Sequence, residues 1–364
     1  MFAFGPCHSM ETKMAGKLLS YTALGAGAYF TARALRKRRA IDFRDKVVLI
    51  VGGSRGLGLI MARQLADEGA KLALAARTQA DLDRAEAELR ERGAEVITIA
   101  CDIRHEDQAE RAVQTVLAHY GQLDVLINNA GIIQTGPIEH MEREDFDDAL
   151  ATHLWGPLAT IRAAVPHIRQ RGGRIVNVSS IAGKIAVPHL VPYSASKHAL
   201  VGLSDGLRAE LAKDNIRVTT VCPGLMRTGS PPNVFVKGQH KKEYAWFTIS
   251  DALPLLSMDA ERAAAQIIEA ARYGDPALTI STQARMLEMA NHVVPSLTAN
   301  FMAFFNRLLP GPTGSEGDRL RTGWESQSPL APSVLTALSD KETVENNELR
   351  GSEPMHQQAH EAGV

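Results

Sequence analysis

VVLIVGGSRGLG, residues 47–58, joins an uninterrupted apolar run to a cluster of glycines. Val47 to Val51 carry no polar residue, which is the pattern of a strand covered on both faces at the centre of a parallel sheet. Residues 59–69 continue with the periodicity of an amphipathic helix. A strand that passes through Gly52, Gly56 and Gly58 into a helix gathers free backbone N–H groups and the positive end of a helix dipole in one place. Such a junction suits a pyrophosphate. Gly52, Ser54, Arg55, Gly56, Leu57 and Gly58 are therefore candidate cofactor contacts.

The alternation continues downstream. Residues 71–76 read as a second strand, 81–93 as a charged surface helix closing at Gly93, 96–100 as a third strand, 106–120 as a helix and 125–127 as a fourth strand. This is an α/β chain of the doubly wound, Rossmann type. Ligand contacts in such a sheet fall at the carboxyl ends of the strands. Asp102 and Ile103 stand at one of those ends, on the adenine side, and Asn129, Ala130 and Gly131 at another, where small residues let a flat ring approach backbone. After the second strand an NAD-preferring fold places an acidic residue for the ribose 2′-hydroxyl, but Arg77 stands here. With Arg55 it offers two guanidinium groups to a 2′-phosphate, so NADP(H) is expected in preference to NAD(H). The competing reading is a pair of solvated arginines.

RIVNVSSIAGKIAVPHLVPYSASKHAL, residues 174–200, carries the candidate chemistry. Its start is a strand, and a helix begins near Tyr193. Tyr193 and Lys197 are four residues apart and share one helix face. A cation beside a phenol lowers its pKa from about 10 toward neutrality, which makes the pair a proton donor. Ser180, at the strand end, is placed to hold a substrate oxygen. The bland alternatives are surface packing for the pair and a turn or helix cap for the serine.

Taken together, Gly52-x-x-x-Gly56-x-Gly58, Asn128-Asn129-Ala130-Gly131, Ser180 with Tyr193-x-x-x-Lys197, and Pro223-Gly224-x-x-x-Thr228 resemble the short-chain dehydrogenase/reductase family over residues 43–281. The resemblance implies a single Rossmann-type domain with a seven-stranded parallel sheet, and hydride transfer to or from a small carbonyl or alcohol substrate. It further implies Tyr193 as acid/base, Lys197 on the nicotinamide ribose and Ser180 on the substrate oxygen. Asn129 to Gly131 would stabilise the sheet core, and Pro223, Gly224 and Thr228 would cover the nicotinamide side. Two positions depart from the family pattern. Val51 replaces a usual Thr that ties down the glycine loop. His153, in the context His153-Leu154-Trp155-Gly156, replaces an Asn that supports a water relay to the lysine. A neutral imidazole retains one acceptor for that water, so His153 is added to the candidate catalytic residues. The alternative function is a dinucleotide-binding regulatory or scaffold protein that has lost efficient chemistry.

The remaining segments are bounded more coarsely. With 364 residues, 45% hydrophobic, the chain is long enough for a large core, and a formal charge of −1 argues against nucleic acid. Its three cysteines are scattered, so no metal site is expected and a reducing, cytoplasmic setting is. Residues 1–40 form a leader. Residues 18–32 are uncharged and are followed by Arg33 and Arg36-Lys37-Arg38-Arg39, which fits a signal peptide poorly. An anchor through residues 15–36 on the cytoplasmic face of a membrane, or a dispensable leader, remain. Residues 229–256 are the expected lid, and their aromatic residues suit an apolar substrate. Residues 282–310 are expected as an apolar helical extension that docks on the domain, on a membrane or on a second copy of the chain in a homo-oligomer. Residues 311–364, rich in Gly, Pro, Ser and Glu, are expected as a disordered tail.

Overall fold

The computed structural model describes residue 27 and residues 30–253, 257–333 and 336–348. Strands β1 (Val47–Val51), β2 (Lys71–Ala76), β3 (Val96–Ala100), β4 (Val125–Asn128), β5 (Gly173–Val178), β6 (Ile216–Pro223) and β7 (Ala277–Ile280) form one sheet in the order β7-β6-β5-β4-β1-β2-β3. Every neighbouring pair is parallel. The order reverses between β1 and β4, which opens a crevice at the carboxyl ends of these two strands.

The unbroken apolar run of β1 is explained by what its two faces meet. Val48 and Ile50 join a core beneath α1 (Gly56–Asp67), α2 (Gln79–Glu91) and α8 (Ala260–Tyr273). Val47, Leu49 and Val51 join a second core beneath α3 (Glu106–Tyr120) and α5 (Gly156–Ile168). Alternation in β2 follows the same rule, with Leu72 and Leu74 on the first side and Ala73 and Ala75 on the second. A polar residue anywhere in β1 would be buried on one face or the other. The helix before α5, α4 (Arg143–Leu150), runs into it through a π-helical turn, Ala151–Trp155.

The C-terminal third refines one expectation and corrects another. The apolar stretch after β7 is two helices, α9 (Thr282–Val293) and α10 (Pro295–Asn306), because Pro295 cannot continue the hydrogen-bond ladder of α9. The segment expected as a disordered tail is ordered over 311–333 and 336–348. Within it, Arg321–Thr322 pairs antiparallel with Phe235–Val236, which pairs in turn with Gln134–Thr135. Buried His140 clamps its start, with Nδ1 2.7 Å from Asp318 Oδ1 and Nε2 accepting from the Thr313 N–H at 2.9 Å. It ends in α11 (Ala337–Glu345) and residues 346–348. Polar and backbone bonds order much of this segment, and Ala331 packs into a small apolar cluster with Val234, Val236 and Phe247. Residues 349–364 lie outside the described residues, as does most of the leader. Among the described residues no helix is long and apolar enough to cross a membrane. Residues 30–38 are helical, and Arg36 is docked on the domain, 2.7 Å from Asp275 and stacked 3.9 Å over the Tyr273 ring.

Candidate active site

The glycine loop folds as its composition requires. Gly52 and Gly56 adopt φ of 80° and 51°, and a Cβ on Gly52 would lie 2.7 Å from the Ala130 backbone. A Cβ on Gly58 would overlap the Gly52 carbonyl. That carbonyl accepts from Asn129 Nδ2 at 2.9 Å, and the Gly52 N–H donates to Ala75 O at 2.7 Å. The loop is therefore tied down without the hydroxyl that Val51 lacks.

From this loop a cleft of about 580 Å³ extends across the carboxyl ends of the strands. Arg77, Asp102 and Ile103 line one end, Ser54, Arg55, Leu57 and Asn129 to Gly131 the middle, and Tyr193, Lys197, Pro223, Gly224 and Thr228 the other. Gly56 and Gly58 shape the loop beneath it. Exposed Arg77 lies within electrostatic reach of Asp102, Arg104 and Arg55. Arg104, which the sequence reading overlooked, pairs with Asp102 at 2.7 Å. Burial works against ionisation of Asp102, yet hydrogen bonds from Arg104 keep its carboxyl below the usual range. Arg55 is paired with the C-terminal segment, its Nε 3.5 Å from Glu348.

At the far end, Ser180 caps a short turn by accepting from the Ala182 N–H at 3.1 Å and lies beside the Tyr193 hydroxyl. Tyr193 and Lys197 stand on α6 (Val191–Leu211), one turn apart as expected. The electrostatics differ from expectation. Burial pushes the half-buried Tyr193 phenol up to about 12, and the neighbouring Ser180 hydroxyl only partly offsets this. Lys197 supplies no compensating effect. Its Nζ donates to Val178 O at 3.0 Å and sits 5.6 Å from the Tyr193 ring centre, and burial without a carboxylate partner pulls it down to about 7. The phenol is thus a protonated donor at neutral pH.

His153, fully buried in the π-helical turn, is committed on both sides. Its Nε2 accepts from the Ile132 N–H at 3.1 Å and its Nδ1 lies 2.7 Å from Ser196 Oγ, which donates to Tyr193 O at 2.9 Å. This network assigns the proton to Nδ1 and makes the ring neutral. Burial, then the nearby Lys197, holds its pKa well below the ordinary histidine value. The expected neutral form is present, but no ring nitrogen is left for a water beside Lys197. Instead the ring packs edge-on to Tyr193 at 5.5 Å between centres and braces the backbone that presents it. Behind the site a buried chain runs from Thr160 to Asn128 (2.8 Å), Asn128 to Asn177 (2.9 Å) and Asn177 to Ser204 (2.9 Å). It fixes β4 and β5 against two helices.

The expected lid is α7 (His240–Ala252). With α9 and α10 it gives the cleft an apolar wall of Trp246, Phe247, Leu287, Phe301, Met302 and Phe305. Ser250 and Asp251 interrupt that wall. Asp251 lines the cleft while only 5% exposed, and its Oδ2 has no hydrogen-bond partner among the described residues. Burial raises its carboxyl to about 7, although a bond from the Met226 N–H and the nearby Arg227 oppose this. No motif marks it in the sequence.

A family model described as short chain dehydrogenase matches residues 46–236. The uncharacterized oxidoreductase YxnA of Bacillus subtilis is 32% identical over 270 residues, which cover 73% of this chain and 74% of that protein. The structure of L-sorbose reductase from Gluconobacter frateurii, complexed with NADPH and L-sorbose, superposes with a TM-score of 0.60 at 27% identity, covering 66% of this chain and 97% of that one. A short-chain dehydrogenase/reductase from Burkholderia phymatum in complex with NAD gives a TM-score of 0.64 at 24% identity, covering 71% and 96%, a likeness of fold.

Proposed function

Because the chain belongs to the short-chain dehydrogenase/reductase family of NAD(P)-dependent oxidoreductases, we propose that it uses NADP(H) in preference to NAD(H) and acts on an apolar carbonyl compound or secondary alcohol. One observation supports this above the rest. A single cleft joins Arg77 and Arg55, suited to a 2′-phosphate, to Ser180, Tyr193 and Lys197 at its other end. The close glycine loop and the Asn129 to Gly131 strand end fit a dinucleotide, and Lys197 is placed to hold its ribose. When bound, the dinucleotide supplies or accepts the hydride. In the reducing direction Ser180 holds the substrate oxygen and Tyr193, protonated at neutral pH, donates to it. His153 and Ser196 keep Tyr193 aimed. The apolar wall excludes water, and Asp251 meets a second polar group on the substrate, such as a hydroxyl. NADPH consumption against a panel of ketones, with and without Tyr193→Phe, tests the reading. The expected result is turnover that falls at least about a thousandfold in the variant while NADPH binding persists. Turnover within tenfold of the parent refutes the role of Tyr193.

A further inference from the structure

Resting on that cofactor reading, we propose that the glycine loop has a second, peptide-binding function. It takes the chain's own segment Asn346-Asn347-Glu348 as an internal ligand that must leave before a dinucleotide diphosphate binds. Three consecutive residues meet the loop. The N–H of Gly56, the first residue of α1, donates to Asn346 O at 2.8 Å. Asn347 Nδ2 donates to Ser54 O at 2.8 Å, and Arg84 Nε donates to Asn347 Oδ1 at 2.6 Å. Glu348 is 4% exposed, with its carboxylate against Gly56, 3.5 Å from Arg55 Nε and accepting from Asn233 Nδ2 at 2.7 Å.

A carboxylate beside an arginine at a helix N-terminus occupies the electrostatic position that a phosphate seeks. Bringing a second anion to the same donors within a few ångströms is opposed by like-charge repulsion. The helix that leads into the segment, α11, reaches the opposite rim of the cleft. Thr343 Oγ1 donates to Gly229 O at 3.0 Å, and Gly229, at φ 78°, approaches the Thr343 backbone so closely that a Cβ would overlap it. Gly229 follows Thr228, so one segment ties the glycine loop to the loop after β6. Its release frees both.

A site open a tenth of the time shows an affinity about tenfold below its intrinsic value. The test uses the full chain, with NADPH titrated into the parent and into Asn347→Ala/Glu348→Ala. The expected result is binding about tenfold tighter in the double variant. Amide hydrogen exchange in the unaltered chain gives a second reading, with exchange across residues 337–345 expected to rise at saturating NADPH. Affinities within twofold, or exchange that NADPH leaves unchanged or slows, overturn the proposal. The last outcome would mark the segment as a clamp on bound cofactor. Failure of NADPH and NADH to bind either form overturns the cofactor reading itself, and the proposal with it.

Discussion

Replacing Lys197 by Met should stabilise the protein at neutral pH while abolishing turnover. Lys197 is 4% exposed, and burial takes its ammonium from 10.5 to about 7. At about 1.4 kcal/mol for each tenfold change, the charged form is disfavoured by on the order of 4–5 kcal/mol in the native state. Below pH about 7 the amine is charged in both states and folding bears the whole cost. Between about 7 and 10.5 the unfolded chain holds a proton that the native state has lost, so stability rises with pH. Above 10.5 both states are neutral and the cost vanishes. Methionine keeps the length of the side chain and removes the charge, but it forfeits the hydrogen bond to Val178 O, worth about 1 kcal/mol. The gain should therefore be about 3 kcal/mol at pH 6, shrinking to about zero by pH 10. Urea unfolding of both proteins at pH 6, 8 and 10 measures it, with the denaturant slopes compared to confirm that the unfolded states match. A variant less stable than the parent at pH 6, or a difference that does not change with pH, refutes the reasoning.

Arg77→Ala should weaken NADPH binding by about tenfold and leave NADH nearly unchanged, as one charge-assisted contact to a 2′-phosphate would predict. Equal losses for the two cofactors, read by titration, would remove Arg77 from that role. His153→Asn should leave the acid limb of the pH–rate profile superimposable on the parent, because the parent imidazole is already neutral across that range. The same variant should melt a few degrees lower through the loss of about 2 kcal/mol of buried hydrogen bonding to Ser196 and Ile132. A parent acid limb near 6.5 that vanishes in the variant would instead restore a proton-relay role. Asp251→Leu should raise KM about tenfold for apolar ketones that carry a hydroxyl and leave plain ketones within a few-fold, from the loss of one buried hydrogen bond. Equal effects on both substrate types would show that Asp251 meets no substrate group.

The sheet could be read from the chain because its signals are local. The run Val47 to Val51 needs no partner to announce a strand buried on both faces, and residues 71–76 and 96–100 coincide with β2 and β3. Ser180, Tyr193 and Lys197 lie within a single strand-to-helix unit, so their spacing survives folding. What escaped the reading is set by contacts far apart in sequence. Asp251 looks like any lid acid until the fold buries it beside Met226 and Arg227. His153 looks like an exchange for Asn until Ile132 and Ser196 claim its two nitrogens. Residues 311–348 have the composition of a tail, and they are held by partners such as His140, Ser54 and Gly56, which no local pattern connects to them. The break at Pro295 is masked in the sequence by the apolar residues on either side, which form one stripe.

The π-helical turn at Ala151–Trp155 makes this part of the chain a gauge of length. Successive residues of an α-helix advance by about 100°, and a π turn absorbs one residue beyond the regular count. Deleting one residue here would restore the regular pitch with α5 still in register with α4, at the expense of the residues inside the turn. Thr160 on α5 must reach Asn128, and His153 must reach Ser196. His153 lies inside the turn and Thr160 beyond it, so a shortened helix would keep the Asn128 contact and lose the Ser196 one. Exposed Trp155 can change its identity without disturbing either contact. Its place in the count cannot be given up.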